Sequence, residues 1–186
     1  MVVHCQKETV MLKGQICIVR HVIGTDLNTF IALVNDLPSR GDHFSTHFKS
    51  PETLRREFMQ HGFVTDDSEL FVIEDSLHHV IGVITHFKSR TPTTREIGYR
   101  LFEPKLAGRG YMTEACQLLV DYLFNVHQYQ RLELLTAPEN KASVRVAQKC
   151  GFTAEGLLRQ SFFINGRFQD VGIFSLLRPE WEERRL

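Results

Sequence analysis

The sequence predicts one α/β domain on a mixed sheet. Three observations predict it. Runs with the two-residue period of strands alternate with runs at helical spacing. One strand, marked by the alternation of Ile97, Tyr99 and Leu101 with Gly98 and Arg100, feeds a glycine loop that opens a helix. No linker, low-complexity tract or internal repeat interrupts the 186 residues, so 1–186 reads as a single domain.

Residues 1–14 read as a polar lead-in closed by Gly14. Gln15 to Arg20 is β-branched and alternating, a first strand. Thr25 or Asp26 caps a helix carrying Leu27, Phe30, Ile31 and Val34, which Pro38 and Gly41 end. Arg40 to Ser50 is a loop rich in His and Phe. Ser50-Pro51 starts a second helix that runs to about His61 and closes at Gly62. A meander follows: strand Leu70–Glu74, a turn through His79, strand Val80–Phe87, a turn at Thr91-Pro92-Thr93, then the strand before the glycine loop. From Thr113 a helix shows Ala115, Leu118, Leu119, Tyr122, Leu123 and Val126 on one stripe. Arg131–Ala137 is a strand stopped by Pro138. Asn140 caps a short helix to Cys150, with Gly151 beyond its end and Phe152 opening the next strand. Asn165-Gly166 turns a hairpin between Ser161–Ile164 and Arg167–Leu177.

Composition excludes several function classes. Lys+Arg and Asp+Glu both number 22, so no basic excess argues for nucleic acid. No apolar run approaches the roughly 20 residues that span a bilayer, and the first ten lack a signal pattern. Cys5, Cys17, Cys116 and Cys150 have no CxxC spacing and read as free thiols of a reducing cytoplasm. His43 and His47 are four apart, but Gly41 and Ser45 favour a loop and no third ligand is evident, so no metal is expected.

The glycine loop offers chemistry. The first amides of a helix have no partner within it, and its dipole favours negative charge there. Gly108 and Gly110 let a phosphate approach those amides, and Arg109 adds a cation. The same pair also serves simply to turn a strand into a helix. A Walker loop is excluded, because no glycine precedes Lys-Ser or Lys-Thr. A dinucleotide fingerprint is disfavoured, because Thr113 stands where its third glycine belongs.

The motifs EIGY at Glu96–Tyr99, GRGYMTEA at Gly108–Ala115, ENKAS at Glu139–Ser143, KCGF from Lys149 and RQSFFINGRFQDV at Arg159–Val171 resemble those of the GNAT acyltransferases. They are most similar to the RimJ/RimL branch, and the likeness covers about residues 15–180. It implies the GNAT fold: a central, mostly antiparallel mixed sheet flanked by helices and splayed at an acetyl-CoA groove. It implies acetyl-CoA as co-substrate, held by the backbone of Leu101 and Phe102, by Lys105, by the loop Ala107, Gly108, Arg109, Gly110 and Tyr111, and by Asn140. It also implies an amine acceptor, and it is compatible with a homodimer.

Direct attack of an amine on a thioester needs a base, an oxyanion donor and a proton for the departing sulfur. The resemblance places Glu96 as base, acting through water, or leaves it a surface carboxylate. Ser143 is the candidate proton donor to the thiolate. The tyrosine that many relatives use is replaced by Ala147, and a branch glutamate by Phe162. Phe44, Phe162 and Asp170 are the acceptor-side candidates, with bracing of the hairpin as the alternative for Asp170. The leading expectation is an N-acetyltransferase acting on a protein N-terminus or a small amine. The competing ones are an acyl-CoA sensor that has lost its acid–base residues and, more remotely, a Rossmann oxidoreductase.

Overall fold

The computed structural model describes residues 11–185. The strands are β1 (Met11–Lys13), β2 (Cys17–His21), β3 (Ser68–Asp75), β4 (Val80–Lys88), β5 (Thr94–Leu101), β6 (Arg131–Thr136), β7 (Thr153–Ile164) and β8 (Arg167–Leu177). The helices are α1 (Leu27–Asn35), α2 (Pro51–His61), α3 (Tyr111–Val126), α4 (Lys141–Lys149) and α5 (Arg178–Glu183), with 3₁₀ turns at Pro38–His43 and Pro104–Leu106. The strands form one sheet in the order β1-β2-β3-β4-β5-β6-β8-β7, in which only β5 and β6 run parallel. Among the described residues no helix is long and apolar enough to cross a membrane.

Each face of the sheet buries its own apolar cluster. Val22, Phe30, Ile31, Leu54, Phe63 and Val72 pack beneath α1 and α2. The larger cluster lies beneath α3 and α4, where Ala115, Cys116, Leu119, Val120, Leu123 and Phe124 meet Ile97, Leu132, Leu134 and Leu176. The helical period is as expected for α3, but its buried face is rotated from the expected stripe. Val126 is 61% exposed, because the buried row ends at Phe124, which packs on Trp181.

The α2 signals are realised in detail. Ser50 Oγ accepts from the Thr53 amide at 3.4 Å, Pro51 fills the first turn, and Gly62 takes the left-handed φ of +61° that ends the helix. At α1, Asp26 holds the capping position without capping. Its carboxylate binds the buried Arg20 guanidinium at 2.6 Å and the Ile23 amide at 2.9 Å. Glu74 meets Arg20 from the other side at 2.6 Å. A buried cation without counter-charge costs far more than an exposed helix amide left to water, so Arg20 takes the carboxylate.

Two features were not expected from the sequence. The supposed lead-in contributes β1: Met11, Leu12 and Lys13 pair with Arg20, Val19 and Ile18, and residues 1–10, including Cys5, lie outside the described residues. What anchors the β1–β2 turn is remote. Glu114, in the first turn of α3, accepts from the amides of Gln15, Ile16 and Cys17 at 2.8, 2.9 and 2.8 Å. A Cβ at Gly14 would lie 2.4 Å from the Glu114 carboxyl carbon. The second is α5. Arg178 donates to the carbonyls of Phe124, His127 and Tyr129 at 2.8, 2.6 and 2.8 Å, closing the C-terminal end of α3.

Replacing Glu114 with Ala strands three amides at a partly wet turn. It should lower stability by about 1–2 kcal/mol, read as a drop of several degrees in Tm by circular dichroism. Glu114→Gln, which still accepts hydrogen bonds, should recover most of it.

Candidate active site

The sheet opens between β5 and β6. Their parallel pairing runs from Thr94↔Arg131 to Ile97↔Leu134 and stops. From Gly98 to Leu101, β5 keeps β4 on one side and has no strand on the other. β6 continues to Thr136 against β8 alone. The two strands therefore present unpaired backbone to the gap, which an extended amide-bearing ligand satisfies as a strand would.

The loop after β5 ends at the mouth of this gap. Gly108 and Gly110 have φ of +78° and +91°, a region that residues with a Cβ rarely adopt. The amides of Gly108, Arg109, Gly110 and Tyr111 make no hydrogen bond to any described residue. They converge at the N-terminus of a 16-residue helix, an arrangement fitted to a pyrophosphate. A continuous cavity of about 1060 Å³ runs from this loop past Asn140 and Ser143 and through the splay to Phe44 and Phe162.

The α4 lip supplies the polar chemistry. Asn140 Oδ1 caps α4 by accepting from the Ser143 amide at 3.1 Å, which leaves its Nδ2 donors toward the cavity. Ser143 Oγ lies 2.9 Å from Tyr99 Oη, which reaches it from the exposed half of β5. Burial first, then the neighbouring Cys116, pushes the Tyr99 phenol well above its usual range, so it stays a neutral hydrogen-bond donor. Thus a phenol does enter the site, but from β5. The α4 position where many relatives carry one, Ala147, is fully buried. The sequence places Tyr99 in the alternation of a strand, and nothing in its own neighbourhood signals a partner 44 positions away.

Other expected residues fall at different distances from the gap. Leu101, Ala107, Gly108, Gly110, Tyr111, Phe44 and Phe162 line the cavity. The backbone of Phe102 is only half available, because its amide donates to Ile81 O at 2.9 Å. Lys105 pairs with Glu103 at 2.7 Å, and both Lys105 and Arg109 lie outside the cavity wall. Asp170 also lies off the wall, accepting from the Gln160 amide at 2.8 Å where β7 bulges and Gln160 takes a φ of 50°. That contact braces the hairpin. Glu96 stands one residue before the cavity wall begins at Ile97, on the same face of β5 as Gly98 and Arg100. Burial first, and the Glu133 carboxylate beside it second, push Glu96 up to about 7, while Arg90 partly offsets them. His43, which the sequence left as a loop residue, joins the wall beside Phe44.

The profile of the acetyltransferase (GNAT) domain matches residues 17–153, which include β2 through α4 and therefore the whole splay. The chain belongs to the GNAT family. It is accordingly an N-acetyltransferase. A probable N-acetyltransferase of Bacillus subtilis, YjcK, is 30% identical over 182 residues, spanning 93% of this chain and all of the relative. The GNAT architecture recurs in RimL, a ribosomal L7/L12 α-N-protein acetyltransferase solved with coenzyme A, at a TM-score of 0.79 and 18% identity over 90% of this chain and 98% of that one. It recurs also in the spermidine N-acetyltransferase of Vibrio cholerae solved with CoA and spermine, at a TM-score of 0.77 and 25% identity over 89% and 98% of the two chains.

A side chain at either left-handed glycine obstructs or twists the amide cradle. Gly108→Val and Gly110→Val should weaken CoA binding at least 100-fold by calorimetry while leaving the far-ultraviolet circular dichroism of the sheet unchanged. Normal CoA affinity in either variant would place the phosphates elsewhere.

Proposed function

We propose that this GNAT chain transfers the acetyl group of acetyl-CoA to a primary amine by direct attack on the thioester. The observation that carries the reading is the continuous cavity joining unpartnered loop amides to the Tyr99–Ser143 pair. The diphosphate rests on the amides of residues 108–111, and the pantetheine arm completes the missing strand beside Gly98–Leu101. Asn140 Nδ2 serves the arm near the thioester. The amine enters from the side of Phe44 and Phe162, so that the two substrates meet within the gap.

The chemistry divides between the two faces. Ser143 gives its proton to the departing thiolate and takes one back from water in the cavity, while the Tyr99 hydroxyl, which its burial keeps protonated, holds Ser143 Oγ in place by a hydrogen bond. Glu96 takes the ammonium proton through water. A carboxyl raised to about 7 holds a proton at mildly acid pH and has lost it by mildly alkaline pH. The base form is the carboxylate, so activity rises with pH.

Incubation with acetyl-CoA and a panel of primary amines, read as free CoA thiol and as acetylated product by mass spectrometry, tests the assignment. CoA binding without turnover on any amine would favour the sensor reading. Ser143→Ala should lower kcat by 10- to 100-fold, within the range for loss of one acid–base group, while the CoA Kd changes less than threefold. In the wild type, kcat/KM should climb through a midpoint near pH 7. Glu96→Gln should flatten that limb and leave a low, pH-independent rate; a retained limb would remove Glu96 from the reaction.

A further inference from the structure

The cavity has a charge pattern that bears on which amines it takes. Its wall as a whole includes Arg100 on β5 and Lys141, Arg145 and Lys149 along α4, and no aspartate or glutamate among the described residues. Arg100 lies closest to the acceptor side, on the face of β5 that carries Gly98. Its Nη2 donates to Leu33 O at 2.7 Å, and its guanidinium lies over the Phe102 ring at 4.9 Å. Its Nε is buried and makes no hydrogen bond to a described residue. None of the ion pairs among the described residues involves it.

The neighbouring Arg40 has a different task. It is buried and donates from Nη1 to the carbonyls of Ser45 and His47 and from Nη2 to that of Val34, pinning the loop that presents His43 and Phe44, while its Nε, like that of Arg100, has no partner among the described residues. Burial first, then the charge of Arg40, pull Arg100 down to about 10, with Asp36 opposing them, so it remains a cation at neutral pH. A guanidinium that lines a cavity and has no carboxylate partner is suited to an anion, because a planar oxyanion matches its fork. A polyamine would bring further positive charge against it.

Asn165, at the β7–β8 turn, donates from Nδ2 to Asp42 O at 3.4 Å and ties the hairpin to the 38–45 loop. Phe44 and Phe162, one from each of the two joined segments, both line the cavity. Their rings offer apolar surface to the body of an acceptor.

We propose that the acceptor is a small primary amine bearing a carboxylate and an apolar or aromatic body, with Arg100 as the carboxylate's anchor. The amine then lies over Gly98, whose missing side chain leaves Phe87 and Thr85 as the nearest neighbours, 3.4 Å from where a Cβ would stand. The inference rests on the acetyl-transfer reading and narrows its substrate.

The test compares kcat/KM for phenylalanine with phenylalaninamide, and for leucine with leucinamide, with spermidine and a neutral tripeptide as further acceptors. The carboxylate-to-amide ratio is measured in the wild type and in Arg100→Gln, so that the differing basicities of the amines cancel. A charge-assisted contact of this kind predicts a ratio lower by roughly 10- to 100-fold in Arg100→Gln, with Arg100→Lys intermediate. An unchanged ratio overturns the anchor. Spermidine turned over as fast as the free carboxylates in the wild type overturns the substrate class, and needs no folded variant. A tripeptide faster than either amino acid overturns the small-molecule assignment. Acetyl transfer to none of these but to other amines sinks this inference alone, whereas CoA binding with no turnover anywhere sinks the acetyl-transfer reading as well.

Discussion

The arrangement depends on one interruption: the parallel ladder between β5 and β6 stops after Ile97↔Leu134. Backbone groups left without a strand must find another partner, and on the proposed reading that partner is the pantetheine arm. The same interruption separates the lips. The β5 lip carries Tyr99 and Arg100 and leads to the glycine loop, and the β6 lip leads to Asn140 and α4. If the ladder continued to Leu101, the sheet would be more regular and the cavity would close. The rest of the fold holds the gap open: α1 and α2 seal one face, α3 and α4 the other, and Arg178 and Glu114 fix the two ends of α3.

Much of this was legible in the sequence because it is local. Ser50-Pro51 and Gly62 delimit α2 by capping, Asn165-Gly166 turns the last hairpin, and Gly108 and Gly110 mark the cradle by the φ they must adopt. What escaped is what long-range partners decide. β1 is three residues, too short for a period, and exists by pairing with β2. Asp26 has the sequence of a cap, but Arg20 and its burial claim the carboxylate. α5 is held by contacts to α3 that no local pattern announces.

The site divides the same way. Its glycine end is marked locally, because Gly108 and Gly110 adopt a φ that other residues avoid. Its other end is assembled across the sheet, and the alternation of β5 says nothing of Tyr99 meeting Ser143 or of Arg100 meeting Leu33. Glu96 shows the same dependence. Its identity was visible, but its shifted acidity comes first from burial and then from Glu133, which the parallel register sets opposite it on the neighbouring strand.

The two left-handed glycines also set how this molecule tolerates genetic drift. Open space surrounds Gly108, and Gly110 meets only the flexible tip of Ile16, so a methyl group there upsets no packed interior. The left-handed φ still strains any side chain at either place, by about 1–2 kcal/mol, a smaller cost than emptying the core at Leu119 or Ile84. On the proposed reading, drift at the two glycines is felt first in the cofactor cradle, and drift at the two core positions in folding.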